Sequence, residues 1–130
     1  MVKLKGVRRI WNIIFYEKED GTTPVQEFLD KLPEKHHAKA LRDIDVLEKY
    51  GTALTAPHVK HIQGKLWELR IKSASDISRI FYFIHIENNI ILLHGFVKKT
   101  QKTPAKEIST ASNYLEDYQR RSNDEELQGV

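Results

Sequence analysis

Residues Lys65–Lys106 read KLWELRIKSASDISRIFYFIHIENNIILLHGFVKKTQKTPAK, and the fold is decided by how this stretch is read. From Lys65 to Lys72, Trp67, Leu69 and Ile71 alternate with Leu66, Glu68, Arg70 and Lys72. That is the period of a strand with one packed face and one charged face. A short polar turn, Ser73–Asp76, leads into Ile77–Ile86, which is apolar on both faces, as a central strand requires, apart from Arg79. Asn88-Asn89 predicts a tight hairpin turn, because Asn tolerates positive φ, and Ile90–Lys98 predicts a third antiparallel strand. Thr103-Pro104 then opens a helix, with Ile108, Ala111 and Leu115 at helical spacing as far as about Arg121.

Working outward from this stretch, Trp11–Glu17 is rich in β-branched and aromatic residues and predicts a first strand that ends before Gly21. Thr23-Pro24-Val25-Gln26 has the hydroxyl, proline and amide of a capping box, so a short helix is expected over Pro24–Lys31. Pro33 interrupts it and is suited to open another, in which Leu41, Ile44 and Leu47 form an apolar stripe that stops at Gly51. Thr52–Gly64 is poor in apolar residues and predicts an irregular connection. The expected architecture is α+β: an N-terminal strand, a helical hairpin, a three-stranded antiparallel meander and a C-terminal helix. A single domain over residues 1–121 and a disordered acidic tail over 122–130 complete the expectation.

The bulk composition sets limits. A chain of 130 residues, 40% hydrophobic and 30% charged, suits one compact core. Its net charge of +3 is small, so an argument for nucleic-acid binding has to come from where the cations cluster. The absence of cysteine removes thiol nucleophiles, thiolate metal sites and disulfides. The basic N-terminus MVKLKGVRRIW lacks an apolar leader core, and no apolar run approaches membrane-spanning length, so a cytoplasmic protein is expected.

Arg70, Arg79, Lys98 and Lys99 fall on adjacent strands or at their ends, where antiparallel pairing can gather them into one cleft. Cations held together call for an anion, and guanidinium groups grip phosphate oxygens in bidentate fashion. Lys102 and Lys106 beside a helix start extend the positive field, and Lys60, Lys65 and Lys72 supply further cations for a polyanion. The plain alternative is that Arg70 pairs with Glu68 or Asp76 while the lysines solvate an edge strand. His94 is either a proton carrier or a core histidine, and Tyr82 is either a core aromatic or a hydroxyl within reach of the site. His58 and His61 have chelating spacing but no Asp, Glu or Cys nearby, so no metal is expected, and His36-His37 reads as a solvated helix start. Phosphate loops, dinucleotide fingerprints, nucleophile elbows and metalloprotease motifs are absent.

The runs GKLWELRIK, SRIFYFI and ILLHGFVKKTQKTPAKEI closely resemble the phage-derived branch of the RelE/HigB-type toxins of bacterial toxin-antitoxin modules, over roughly Ile10–Arg121. This resemblance implies endonucleolytic cleavage of mRNA, in many relatives only on the translating ribosome, without metal or cofactor. The RNA 2′-hydroxyl would attack the adjacent phosphorus. Arg70 in LWELR, Arg79 in RIFYF, and Lys98 and Lys99 in GFVKKT are the implied phosphate and charge-stabilising groups, with Tyr82 and His94 as further candidates. The implied partners are mRNA, the ribosome and a cognate antitoxin, often a helix-turn-helix protein. Some relatives carry lysines, one of them a proposed base, on the strand matching Leu66–Arg70. Here Leu66 and Glu68 stand there, and Glu68 is either the base or the group that orients Arg70. The same scaffold also hosts gyrase poisons, so a non-catalytic toxin that binds gyrase or another protein, or a phage-derived binding module, is the alternative.

Overall fold

The structure is a computed structural model that describes residues 11–99 and 101–127. The basic run up to Ile10, Thr100, and the last three residues of the acidic tail lie outside the described residues. Strand β1 is Asn12–Phe15, helix α1 Pro24–Asp30 and helix α2 Glu34–Tyr50; strands β2 Val59–Gln63, β3 Leu66–Ser73, β4 Asp76–His85 and β5 Asn89–Val97 follow, and helix α3 is Ala105–Leu127. They build an α+β fold on one five-stranded sheet in the order β1-β5-β4-β3-β2, antiparallel throughout except where β1 runs parallel to β5.

The apolar alternation dictates two cores, one on each face of the sheet. Leu69 and Ile71 of β3, Ile80 and Tyr82 of β4, and Ile90 and Leu92 of β5 pack with Val25 and Leu29 of α1 and Ala40, Ile44 and Leu47 of α2. On the other face Leu66, Phe81, Phe83, Ile91, Leu93 and Phe96 pack with Ala111, Ile108, Tyr114, Leu115 and Tyr118 of α3. Strand β4, covered on both sides, is the axis of both cores. At Phe81/Tyr82 the pairing with β5 shifts, so Phe81 faces His94 while Tyr82 faces Leu92, and Leu93 is left as the extra residue of a bulge.

The structure corrects several expectations. The meander has four strands, because Val59–Gln63, expected to be irregular, pairs with β3 as an edge strand. Its exposed Lys60, His61 and Gln63 hid it, since an edge strand has to bury little; here Val59 is its one fully buried residue. The two short-linked helices form less of a hairpin than expected, because α1 packs on β5 and α2 on β3 more than they pack on each other. Thr23 makes no side-chain cap, and the Gln26 amide donates to Asp30 Oδ1 at 2.9 Å instead. In the β4–β5 turn the positive φ values fall on Ile86 (45°) and Glu87 (55°), upstream of the asparagines. Asn88 closes the turn, its carbonyl accepting the Asn12 N–H at 2.9 Å, and Asn89 already belongs to β5, where it pairs with Asn12 of β1. Helix α3 continues past Arg121 to Leu127, where an unstructured tail was expected. A hydrogen bond between His85 Nε2 and Ser122 Oγ at 3.1 Å holds that extension to β4.

Two contacts fix how the layers meet. Gly95 of β5 lets the Phe28 ring of α1 lie against the backbone; a Cβ there would sit 2.4 Å from Phe28 Cδ2. Just past β1, the Tyr16 hydroxyl donates to Asp117 Oδ2 at 2.6 Å, and Arg121 of α3 bonds both Asp117 and the Glu17 carbonyl. Burial, then the Asp117 carboxylate, push the Tyr16 phenol up to about 12.

Gly95→Ala is expected to destabilise the protein by about 1–3 kcal/mol in chemical denaturation, because Phe28 has to be displaced as a whole ring. Because its folded pKa lies above that of a free phenol, the Tyr16 contribution to stability is complete below pH of about 10 and lost as pH rises through the folded value. In denaturation curves across that alkaline window, Tyr16→Phe should remove this part of the pH dependence.

Candidate anion-binding site

Strand register makes the site. Arg70 of β3 lies directly opposite Arg79 of β4, whose other neighbour is Phe96 of β5. Opposed residues of an antiparallel pair have Cα atoms about 4.5–5.5 Å apart, a spacing that disfavours like charges. Two devices hold the pair. Glu68, two residues before Arg70 on the same face, places Oε2 3.2 Å from Arg79 Nε, and the Ser78 carbonyl accepts a hydrogen bond from an Arg79 terminal nitrogen at 3.0 Å. Glu68 is 1% and Arg79 5% exposed, so this ion pair is inside the protein. The second Glu68 oxygen, Oε1, accepts the Thr103 hydroxyl at 3.1 Å, which ties the start of α3 to the same carboxylate.

Around the arginines the surface forms a cleft of about 450 Å³ lined by Arg70, Ile77, Arg79, Lys98, Lys99 and Gln101. A second hollow of about 340 Å³, lined by Lys39, Pro57, His58, Arg70, Lys72, Ile77 and Arg79, shares the arginine pair. Lys98 reaches the cleft because its backbone N–H continues the β5 ladder to the Ile77 carbonyl at 2.8 Å. Among the described residues, Arg70, Lys98, Lys99 and Lys72 have no carboxylate at ion-pair distance. Burial, and then the Arg79 charge, hold the Lys98 ammonium below its ordinary value. Burial likewise lowers Arg79, Glu68 opposes that shift and Arg70 adds to it. Burial is the leading cause of both shifts, and like charge adds to each, from Arg79 at Lys98 and from Arg70 at Arg79.

The expected site residues separate into groups. Arg70, Arg79, Lys98 and Lys99 share the cleft, and Glu68 sits behind it, paired with Arg79 rather than with Arg70. Lys60 stands on β2 opposite Glu68, and Lys72 lines the second hollow. Lys102 and Lys106 are exposed at the start of α3. Lys65 lies in the β2–β3 turn, about 16 Å along β3 from Arg70 at strand rise. His94 shares the α3 side of the sheet but is half-buried, bonded through Nε2 to Glu107 Oε1 at 2.7 Å, with rings of Phe81 and Phe96 stacked on it. Tyr82 is on the opposite face, 4% exposed in the α1/α2 core, where burial raises its phenol strongly. His58 and His61 are exposed, and His61 Nε2 bonds the Gly64 carbonyl at 2.7 Å.

Thr103, Gln101, Ser78 and His36 also belong to this neighbourhood, although their sequence pattern assigns none of them to the site. Thr103 looked like a helix cap, and its hydroxyl serves Glu68 instead. His36, expected to be solvated, is 2% exposed, with Nε2 2.7 Å from Ser78 Oγ. A signal for it was present: His36 precedes Ala40, Ile44 and Leu47 at i, i+4, i+8 and i+11, on the buried stripe of α2.

Residues 27–116, which include the whole cleft, match the family described as phage-derived protein Gp49-like. The chain is also 32% identical over 98 residues, 75% of its own length and 75% of the relative's, to "Probable endoribonuclease HigB1" of Mycobacterium tuberculosis, strain CDC 1551 / Oshkosh. The protein of that name in strain ATCC 25618 / H37Rv matches to the same extent.

Glu68→Ala leaves the Arg79 guanidinium buried without its counter-ion, and a loss of about 3–5 kcal/mol in urea unfolding is expected. Arg70→Ala removes a like charge from the opposed position and should be neutral or slightly stabilising in the same measurement.

Proposed function

Because the chain belongs to the phage-derived Gp49-like family of RelE/HigB-type toxins, we propose that it is the toxin of a type II toxin-antitoxin module and cleaves mRNA endonucleolytically, on the ribosome. The observation that carries this reading is the cleft: two arginines held side by side, with Lys98 and Lys99, around a space that fits a phosphate.

Cleavage of RNA through its own 2′-hydroxyl needs little covalent help from a protein. The 2′-hydroxyl loses its proton to solvent as its oxygen bonds to phosphorus. The bond from phosphorus to the 5′-oxygen breaks and that oxygen takes up a proton, leaving a cyclic phosphate and a 5′-hydroxyl. Negative charge gathers on the non-bridging oxygens in between. Arg70, Arg79 and Lys98 supply fixed positive charge where that charge develops, and in a partly desolvated cleft such donors act more strongly than in water. Lys99 and Gln101 hold the rim. Glu68, with one oxygen at Arg79 and the other at Thr103, orients the guanidinium rather than taking the 2′-proton. Lys60, Lys72, Lys102 and Lys106 offer contacts for the flanking phosphates, and Lys65 a more distant one.

In this reading the ribosome presents the mRNA in the required geometry and the chain acts in the cytoplasm. The cognate antitoxin, a helix-turn-helix protein encoded beside it, silences the toxin by covering the cationic cleft with acidic groups.

Arg70→Ala and Lys98→Ala, each folded, should slow cleavage by about 10²–10³-fold, read by mapping internal 5′-hydroxyl ends after induction. RNA binding should weaken steeply as salt is raised. Full cleavage in both variants would overturn the site. Intact transcripts accompanied by DNA damage would instead favour a gyrase-binding toxin.

A further inference from the structure

Among the described residues, the buried polar or charged side chains, the tyrosines aside, are His36, Glu68, Ser78 and Arg79. They form one continuous line. His36 Nε2 lies 2.7 Å from Ser78 Oγ, the Ser78 carbonyl accepts from Arg79 at 3.0 Å, Arg79 Nε lies 3.2 Å from Glu68 Oε2, and Glu68 Oε1 accepts from Thr103 at 3.1 Å. The line enters from α2 on one face of the sheet, passes through β4 and leaves at the start of α3 on the other. Its middle member is Arg79 of the cleft.

Burying polar groups is unfavourable unless they are paired, and His36 is paired only in part: its Nδ1 has no hydrogen-bond partner among the described residues. It occupies a position on the α2 stripe where its neighbours Ala40, Ile44 and Leu47 are apolar and buried. A local rule broken at this cost, next to the site, points to a task. The bond to Ser78 Oγ anchors the residue whose carbonyl accepts from an Arg79 terminal nitrogen, while Glu68 Oε2 lies near Arg79 Nε. Arg79 Nε has only the Glu68 charge at 3.2 Å and no hydrogen-bond partner among the described residues. The bond to the Ser78 carbonyl is therefore what gives the guanidinium a direction although Arg70 repels it.

We infer that His36 is a positioning residue for Arg79, acting through Ser78 from the opposite face of the sheet. The part of this inference that concerns cleavage rests on the ribonuclease reading; the part that concerns the order of the Arg79 side chain does not.

Two measurements on the full chain test it. In NMR spectra of the free protein, the Arg79 side-chain Nε–H signal is expected to be single and sharp in wild type and to broaden or split in His36→Leu and in Ser78→Ala, which break the same bond from either end. His36→Gln, whose amide nitrogen can stand in for Nε2, should restore it. On programmed ribosomes, His36→Leu should lower kcat by about 10–100-fold with KM within about twofold, the scale of a misplaced group. His36→Gln should recover most of that loss, and His36→Leu should cost nothing further in an Arg79→Ala background. An unchanged Arg79 signal in both His36→Leu and Ser78→Ala overturns the inference, as does a kcat loss of equal size with or without Arg79. A wild-type chain with an ordered Arg79 that cuts no RNA removes the ribonuclease reading and leaves the positioning of Arg79 standing. Should His36→Leu fail to fold, Ser78→Ala carries both readouts.

Discussion

The buried pair of Glu68 and Arg79 is the constraint on which the site depends. A guanidinium 5% exposed in a sheet flanked by Phe81 and Phe96 is tolerated only with its counter-ion in place, and a carboxylate 1% exposed only with its cation. The pair is therefore an obligation on the rest of the chain. β3 and β4 must keep a register that sets Glu68 opposite Phe81 and Arg70 opposite Arg79, since a slip by one residue would turn every one of these side chains to the other face. The pair also joins layers: through Thr103 it reaches the start of α3, and through Ser78 it reaches α2.

That obligation explains why the cleft is charged but not collapsed. Arg70, Lys98 and Lys99 have no acidic partner among the described residues, while Glu68 is held close to Arg79. The one carboxylate at the centre compensates one cation and leaves the others to an external anion. Burial and mutual repulsion, which lower both Lys98 and Arg79, are the electrostatic record of the same arrangement. The proposed ribonuclease reading takes that anion to be an RNA phosphate, whose oxygens guanidinium groups can bind in pairs.

Much of this was legible in the residues and some was not, for identifiable reasons. Alternation in LWELRIK and the two-faced apolar run of β4 gave β3 and β4, and spacing alone put Arg70, Arg79, Lys98 and Lys99 near one another. Strand β2 was hidden because an edge strand with exposed Lys60, His61 and Gln63 has the composition of a loop. The turn spans residues 86–88, so Asn88 lies in it as its chemistry suggests, whereas Asn89 belongs to β5, where β1, far away in sequence, pairs with it. Two adjacent histidines at a helix start look polar, which hides the burial of His36, although its place on the Ala40–Ile44–Leu47 stripe points inward.

The sequence by itself determined the class of fold, the strands of the central hairpins and the identity of the cations, because period-2 and helical patterns and residue chemistry are local properties. Only the tertiary structure decided which cation is paired and which is open. Glu68 was close enough in sequence to serve Arg70, and the register gave it to Arg79. The same register sent Tyr82 into the far core and left His94 with Glu107, outside the cleft. Such choices rest on which strand lies beside which and on which face each residue points to. These are long-range facts, fixed by two cores packing at once against one sheet, and no short window of residues contains them.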